Sequence, residues 1–272
     1  MRWGILSIIA ALALVAGCAA TGGNPGAVER LYVFNCGEST VPDLSRWTPG
    51  VNVGKPGAFS ANCYLIRHAK GWMMWDSGIN DNVATMPNGF QRGKLSPHYI
   101  LRKPLRFALS EITVDPAKIE HVAFSHTHGD HAGNVDTLSG VPLLMQKAEY
   151  DFAFAAGKQP PFSPSHPVEK VDGEKDVFGD GSLRIVPTPG HTPGHQSLVV
   201  RLAKTGTLVL SGDAVQVGEQ LDRYKAAPAS YDERLVAGIR TVADLAAKNN
   251  AKVWYSHDTA QTQQLRSQKF YE

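Results

Sequence analysis

Cysteine is scarce, with three in 272 residues. Cys36 and Cys63, the two beyond the N-terminal region, lack the close spacing of a zinc knuckle, so no cysteine-built metal module is present. Charge of one sign is also lacking: 27 Lys and Arg against 25 Asp and Glu leave a net +2, which gives no sign of nucleic-acid binding. There is no internal repeat and no second low-complexity segment. The long apolar run after Met1 and Arg2, "WGILSIIAALALVAG", is too short to span a bilayer comfortably. What is present is ordinary globular material, 43% hydrophobic, with about 250 residues beyond that run, enough for one large domain or two small ones.

The apolar run ends in "LVAGC", small residues running into Cys18, and resembles a bacterial lipoprotein signal. That resemblance implies a signal peptide over 1–17, lipidation at Cys18, and export to the periplasmic face of a membrane or to the cell surface. An uncleaved anchor helix is the alternative, and it too tethers the rest of the chain outside the cytoplasm. Residues 18–30, containing "AATGGNPGA", read as a flexible tether, and 31–272 as the catalytic domain. In an oxidising compartment Cys36 and Cys63 could form a disulfide, and two buried free thiols fit the sequence nearly as well.

From Leu31 short apolar runs alternate with turn signals. "RLYVFNC", "NCYLIRH" and "GWMMWDSG" read as strands, and the polar, punctuated "NDNVATMPNGFQRGKLSPHYILRKP" as a loop or lid insertion. "LRFALSEI" has Leu105, Leu109 and Ile112 at helical spacing. A strand "IEHVAFS", a short helix near Asn134 to Leu138, a strand "VPLLMQ" and a helix around "KAEYDFAFA" follow. Then come strands within "GDGSLRIVPTP", "QSLVVRL" and "GTLVLSG", an amphipathic helix "YDERLVAGIRTVADLAAKNN" and a last strand "AKVWYS". Strands in two runs, each followed by helices, predict an α/β fold with two sheets packed face to face and helices outside.

The stretch "FSHTHGDHAG" crowds His126, His128, Asp130 and His131 into six residues. A lone H-x-H pair is as often a surface accident as a site. Here an apolar strand leads in and a glycine-rich loop leads out, so the cluster sits where a strand ends, with imidazole and carboxylate ligands suited to zinc-like ions. His191, Asp213 and His257 also fall just past strands, so loops from several strands converge on one edge.

"HTHGDH", His191 in "TPGHTPGH", Asp213 in "SGDA" and His257 in "YSHD" together resemble the metallo-β-lactamase superfamily. The resemblance implies a four-layer αββα sandwich of two mixed sheets. It implies two divalent metal ions, zinc in the usual case: one held by His126, His128 and His191, the other by Asp130, His131 and His257, with Asp213 bridging. Asp76 matches an aspartate that orients a ligand histidine in that family, and a turn cap before glycine is its alternative. His195 is read as structural. Paired ions would acidify water and clamp an ester during attack, with Asp130 or Asp213 moving the proton.

Within the superfamily, "TPGHTPGHQSL", "SHDTAQ" and the gaps of 60, 22 and 44 residues separating His131, His191, Asp213 and His257 resemble the N-acyl homoserine lactonases. That branch often has a tyrosine three residues after the bridging aspartate, to hold the substrate carbonyl. Gln216 stands there instead, able to donate a hydrogen bond but not to act as a phenolic acid. Tyr224, farther along the loop, reads either as a tyrosine that reaches the site or, the favoured reading, as a partly exposed loop tyrosine. Selectivity is expected from Met86 to Ile112 and from Trp47 and Phe90. A broad esterase or phosphotriesterase is the rival enzyme reading, and a non-catalytic lipoprotein scaffold the rival outside catalysis. The fifteen residues after His257 leave no room for a glutathione-binding helical domain, Asp213 argues against a true β-lactamase, and no added basic domain suggests a nuclease.

Overall fold

A computed structural model describes residues 27–138, 140–224 and 232–272. Cys18, the leader and most of the tether read from the sequence lie outside the described residues.

The chain begins with an antiparallel pair, β1 (Val28–Val41) and β2 (Gly57–His68), then β3 (Gly71–Trp75). β1 starts at Val28, so the last three residues assigned to the tether belong to the domain, held by pairing with the end of β2 at His68. A bulge between Asn35 and Glu38 interrupts β1, and Cys36 within it is bonded to Cys63 of β2, which resolves the open alternative in favour of a disulfide. The segment read as an irregular loop contains two short strands, β4 (Phe90–Gln91) and β5 (His98–Ile100), of which β5 pairs with Glu38–Thr40 of β1. No local pattern announces them, because they exist only through that pairing.

α1 (Leu105–Glu111) precedes β6 (His121–Ala123), β7 (Leu143–Gln146), α2 (Lys147–Ala153) and β8 (Val168–Val171). The short helix predicted near Asn134 is a single 3-10 turn, Val135–Leu138. The second half runs β9 (Lys175–Asp176), β10 (Leu183–Pro187), β11 (Gln196–Leu202), β12 (Gly206–Leu210), α3 (Gly218–Tyr224), α4 (Glu233–Asn249), β13 (Lys252–Trp254) and α5 (Thr259–Leu265). α4 starts at its Asp232 cap, which accepts from the Arg234 N–H, and stops at left-handed Asn250.

The strands form two mixed sheets, ordered β4-β5-β1-β2-β3-β6-β7-β8 and β13-β12-β11-β10-β9. Side chains alternate across each strand, and the alternation assigns the layers. Met73 and Trp75 of β3 meet Leu198 and Val200 of β11 in the core between the sheets. Met74 faces outward with Leu65 onto Leu105 and Leu109 of α1, while Val199 and Val209 face outward onto Val236, Ile239 and Val242 of α4. The result is the expected four-layer αββα sandwich.

Candidate metal centre

Each metal ligand predicted from the sequence, and Asp76, lies past the C-terminal end of a strand, and the packed sheets bring five such ends to one edge. β3 leads to Asp76, β6 to His126–His131, β10 to His191, β12 to Asp213 and β13 to His257. Their side chains gather into two groups, His126, His128, His191 and Asp213, and Asp130, His131 and His257, with ligand atoms inside each group within 4.8 Å of one another.

Asp213 stands between the groups, only 6% exposed. Its Oδ2 is 3.3 Å from His191 Nε2 and 3.9 Å from His126 Nε2, whereas its Oδ1 is 3.1 Å from the Nε2 of both His131 and His257. One carboxylate oxygen thus serves each group. The residues fit a pair of divalent cations. His126 Nε2 and His191 Nε2 converge on His128 Nδ1 at 2.8 and 2.9 Å, the buried Nε2 of His131 has no hydrogen-bond partner, and Asp130 accepts no hydrogen bond among the described residues. Burial holds the pKa of His126 well below its usual value and takes that of His191 down to about 4, which keeps both imidazoles neutral and their lone pairs available. At His131 burial opposes the charge, but the Asp213 and Asp76 carboxylates outweigh it and raise the pKa.

The ligands are positioned by a layer of buried hydrogen bonds. Asp76, whose φ of +55° is unusual for a residue with a side chain, places Oδ2 3.0 Å from His131 Nδ1 and accepts from the Ser125 N–H at 2.6 Å. It therefore holds the His131 ring as well as a backbone N–H, a contact that a turn cap alone would not make. His195 lies outside both groups: its Nε2 accepts from the backbone N–H of Asp213 (3.0 Å) and Ala214 (3.2 Å), and its Nδ1 meets the Thr188 hydroxyl at 2.8 Å, so this structural histidine fixes the Asp213 loop. Gly212, at φ +53°, lets that loop pass, since a Cβ there would fall 2.5 Å from the Ser125 Cβ.

Glu149 of α2 escaped the sequence reading, and no local motif marks it. Its buried carboxylate accepts from the Thr127 N–H and hydroxyl (2.8 and 2.7 Å) through Oε1, and from the Thr192 hydroxyl and Gly194 N–H (2.7 and 3.2 Å) through Oε2. It ties the His126–His131 loop to the His191 loop. The threonine and glycine that alternate with the histidines in "HTHGDH" and "GHTPGH" were the available signal.

Gln216 is at the centre, but its Nε2 donates to Asp213 Oδ2 at 2.8 Å and its Oε1 accepts from Gln220 at 3.4 Å. Tyr224 is not a loop tyrosine: it ends α3, is buried, and donates its hydroxyl to the Pro49 carbonyl at 3.3 Å. Two cavities flank the centre. One of about 260 Å³ reaches His191 and Asp213 past Pro49, Tyr224, Leu235 and Ile239; the other, about 220 Å³, reaches His257 past Leu44, Phe59 and Thr259. Trp47 borders both, while Phe90 borders neither and sits 41% exposed on the edge strand.

Comparison with known proteins agrees with this geometry. The N-acyl homoserine lactonase AttM of Azorhizobium caulinodans is 31% identical over 214 residues, covering 72% of this chain and 80% of that one. The crystal structure of a quorum-quenching N-acyl homoserine lactone hydrolase superposes with a TM-score of 0.74 at 22% identity, covering 86% of this chain and 94% of its own. AidC, a dizinc quorum-quenching lactonase, superposes at 0.61 with 13% identity over 85% and 90% of the two chains. The pattern of the metallo-beta-lactamase superfamily matches residues 56–257, a span that contains Asp76 and both ligand groups, and this chain belongs to that superfamily.

Proposed function

We propose that this chain is a binuclear metal-dependent hydrolase that opens the ring of N-acyl homoserine lactones, and so a quorum-quenching enzyme. The observation that carries the reading is the Asp213 carboxylate, split between two complete ligand groups. The lactonase names of the similar proteins supply the substrate class.

Two bound divalent ions would supply Lewis acidity for the ester and a nucleophilic water at neutral pH, lowering a water pKa from about 15.7 towards 7. Zinc suits the imidazole-rich ligands and is the ion of AidC. The protein's own groups do the rest. Burial keeps His126 and His191 neutral, Asp76 and Ser125 aim His131, and His195, Gln216 and Ser256 hold Asp213. Asp130, which accepts no hydrogen bond among the described residues, or Asp213 would take the proton from water and return it to the leaving alcohol. The apolar wall of Trp47, Pro49 and Ile239 suits an acyl chain.

Gln216, where a tyrosine is common in the lactonase branch, favours a second reading, a broad esterase or phosphotriesterase using the same centre. A metal-analysed preparation assayed on N-acyl homoserine lactones, thioesters, β-lactams and phosphotriesters separates the two. About two ions per chain and highest kcat/KM on the lactones support the lactonase. A preparation that turns over these substrates after complete chelation overturns the metal reading.

We also place the enzyme outside the cytoplasm, lipid-anchored at Cys18. Support comes from "LVAGC", the small-residue tether and the Cys36–Cys63 disulfide, a bond characteristic of oxidising compartments. Cys18→Ser should move activity from the membrane fraction to the soluble one; unchanged lipid labelling refutes the anchor.

A further inference from the structure

The Cys36–Cys63 disulfide lies against the turn that carries Asp76. That turn leaves β3 with Asp76 at φ +55° and Gly78 at φ +69°. A Cβ on Gly78 would collide with the Cys36 Cβ and fall 3.1 Å from Cys63 Sγ, so the turn packs directly on the bonded cysteines. The Cys36 carbonyl also accepts from the Ile79 N–H at 3.0 Å. On its other side the turn grips the loop of His131. The Ser77 N–H donates to the His131 carbonyl at 2.6 Å, the Gly133 N–H donates to the Gly78 carbonyl at 2.9 Å, and Asp76 Oδ2 lies 3.0 Å from His131 Nδ1. Ala132, next to His131, is buried in the same apolar cluster as both cysteines. The group containing His126, His128 and His191 has further supports outside this turn. Ser125, which bonds Asp76, is held besides by the Gln196 N–H donating to its carbonyl at 2.9 Å, and Glu149 binds the Thr127 and Thr192 hydroxyls at 2.7 Å each.

We propose that the Cys36–Cys63 disulfide is a positioning element for one half of the centre: it fixes the 76–79 turn, and through it His131, so the Asp130–His131–His257 group depends on it and the other group does not. This rests on the two-ion reading above. Strand pairing is interrupted at the β1 bulge between Asn35 and Glu38, so without the bond nothing covalent holds Cys36 to β2 and the floor of the turn can shift. The Asp76–His131 contact then loosens, and such partners of ligand histidines typically change metal affinity by about tenfold to a hundredfold. Forming the bond takes two electrons and two protons from the two thiols and passes them to a disulfide oxidant, which becomes a dithiol. Both cysteines are buried, so the bond once made is shielded from reductants. A chain that folds without such an oxidant therefore loads one group well and the other poorly.

The test is the Cys36→Ala/Cys63→Ala double variant. Leu183→Ala is the control, because it opens a cavity in the inter-sheet core at the start of β10, on the edge opposite the ligands. Zinc titrated against a chelator of known affinity reads the two sites. In the double variant one zinc should bind about tenfold to a hundredfold more weakly and the other less than about threefold more weakly. Hydrogen exchange on the metal-free proteins locates the change: the amides of Ser77, Ile79 and Gly133 should exchange at least about tenfold faster, and those of Thr127 and Gly194 at nearly the wild-type rate. Leu183→Ala should unfold at a lower temperature yet match the wild type in both measurements. If the double variant fails to fold, Gly78→Ala keeps the bond and lifts the turn off it, and the same one-sided loss is expected. Two zinc affinities that stay at the wild-type values, or weaken alike, overturn this inference alone. A wild type that binds fewer than two ions overturns the metal reading and this inference with it.

Discussion

Replacing Asp213 by Asn keeps the shape and removes the charge, and the structure says which half of the centre then fails. Oδ1 accepts from the Ser256 hydroxyl at 2.8 Å, and Oδ2 accepts from Gln216 Nε2 at 2.8 Å. An asparagine must put its NH₂ at one of these places. The serine hydroxyl can rotate to become an acceptor, whereas the Gln216 amide can reverse only by giving up the bond from Gln220 to its Oε1. The NH₂ therefore takes the Oδ1 place, 3.1 Å from the Nε2 of both His131 and His257. The Asp130–His131–His257 group loses its shared anion, while the group containing His126 and His191 keeps a carbonyl oxygen. Metal analysis by mass spectrometry should fall from about two ions per chain towards one. Turnover should drop by about a hundredfold or more, at least about 2.7 kcal/mol of transition-state stabilisation at 1.36 kcal/mol per decade. The same exchange at exposed Asp172 should change neither quantity. An Asp213→Asn enzyme with two ions and full rate on every substrate would falsify the bridging role.

Three further outcomes test the framework around the centre. Glu149→Gln puts an NH₂ against either the Thr127 N–H or the Gly194 N–H, leaving a buried donor unsatisfied whichever way the amide turns, so about 2–4 kcal/mol of stability should be lost in urea denaturation; an unchanged midpoint would show that the two loops do not depend on this carboxylate. Gly212→Ala forces a Cβ to 2.5 Å from the Ser125 Cβ at a φ of +53°, so it should unfold at a lower temperature and lose activity through the displaced neighbouring Asp213; wild-type thermal unfolding and kcat would contradict the close approach. Removing the Cys36–Cys63 bond, which spans a sequence separation of 27, should cost roughly 3–4 kcal/mol by loop-closure entropy, read as a lower denaturant midpoint on reduction; a midpoint insensitive to reductant would show that the bond contributes nothing.

The sequence by itself determined the layers and most of the centre, because both are written in short-range patterns. Runs of strands each followed by helices mark two sheets with helices outside, and alternation with a period of two puts Met73 and Trp75 on one face and Met74 on the other, while packing decides which face meets the second sheet. "HTHGDH" places His126, His128, Asp130 and His131 within six residues, so no folding event beyond a strand ending in a loop is needed to bring four ligands together. Only the tertiary structure decided what depends on residues far apart in the chain. β5 is a strand because Glu38–Thr40 of β1 offers it an edge to pair with, so its polar surroundings read as loop until that partner is in place. The cysteines pair because the β1 bulge turns Cys36 towards Cys63. Glu149 and His195 hold the ligand loops through partners 18 to 45 residues away, beyond the reach of any local pattern. The division of Asp213 into one oxygen for each group is likewise a product of two packed sheets: β12 delivers the carboxylate, and the ends of β6, β10 and β13 set the histidines around it.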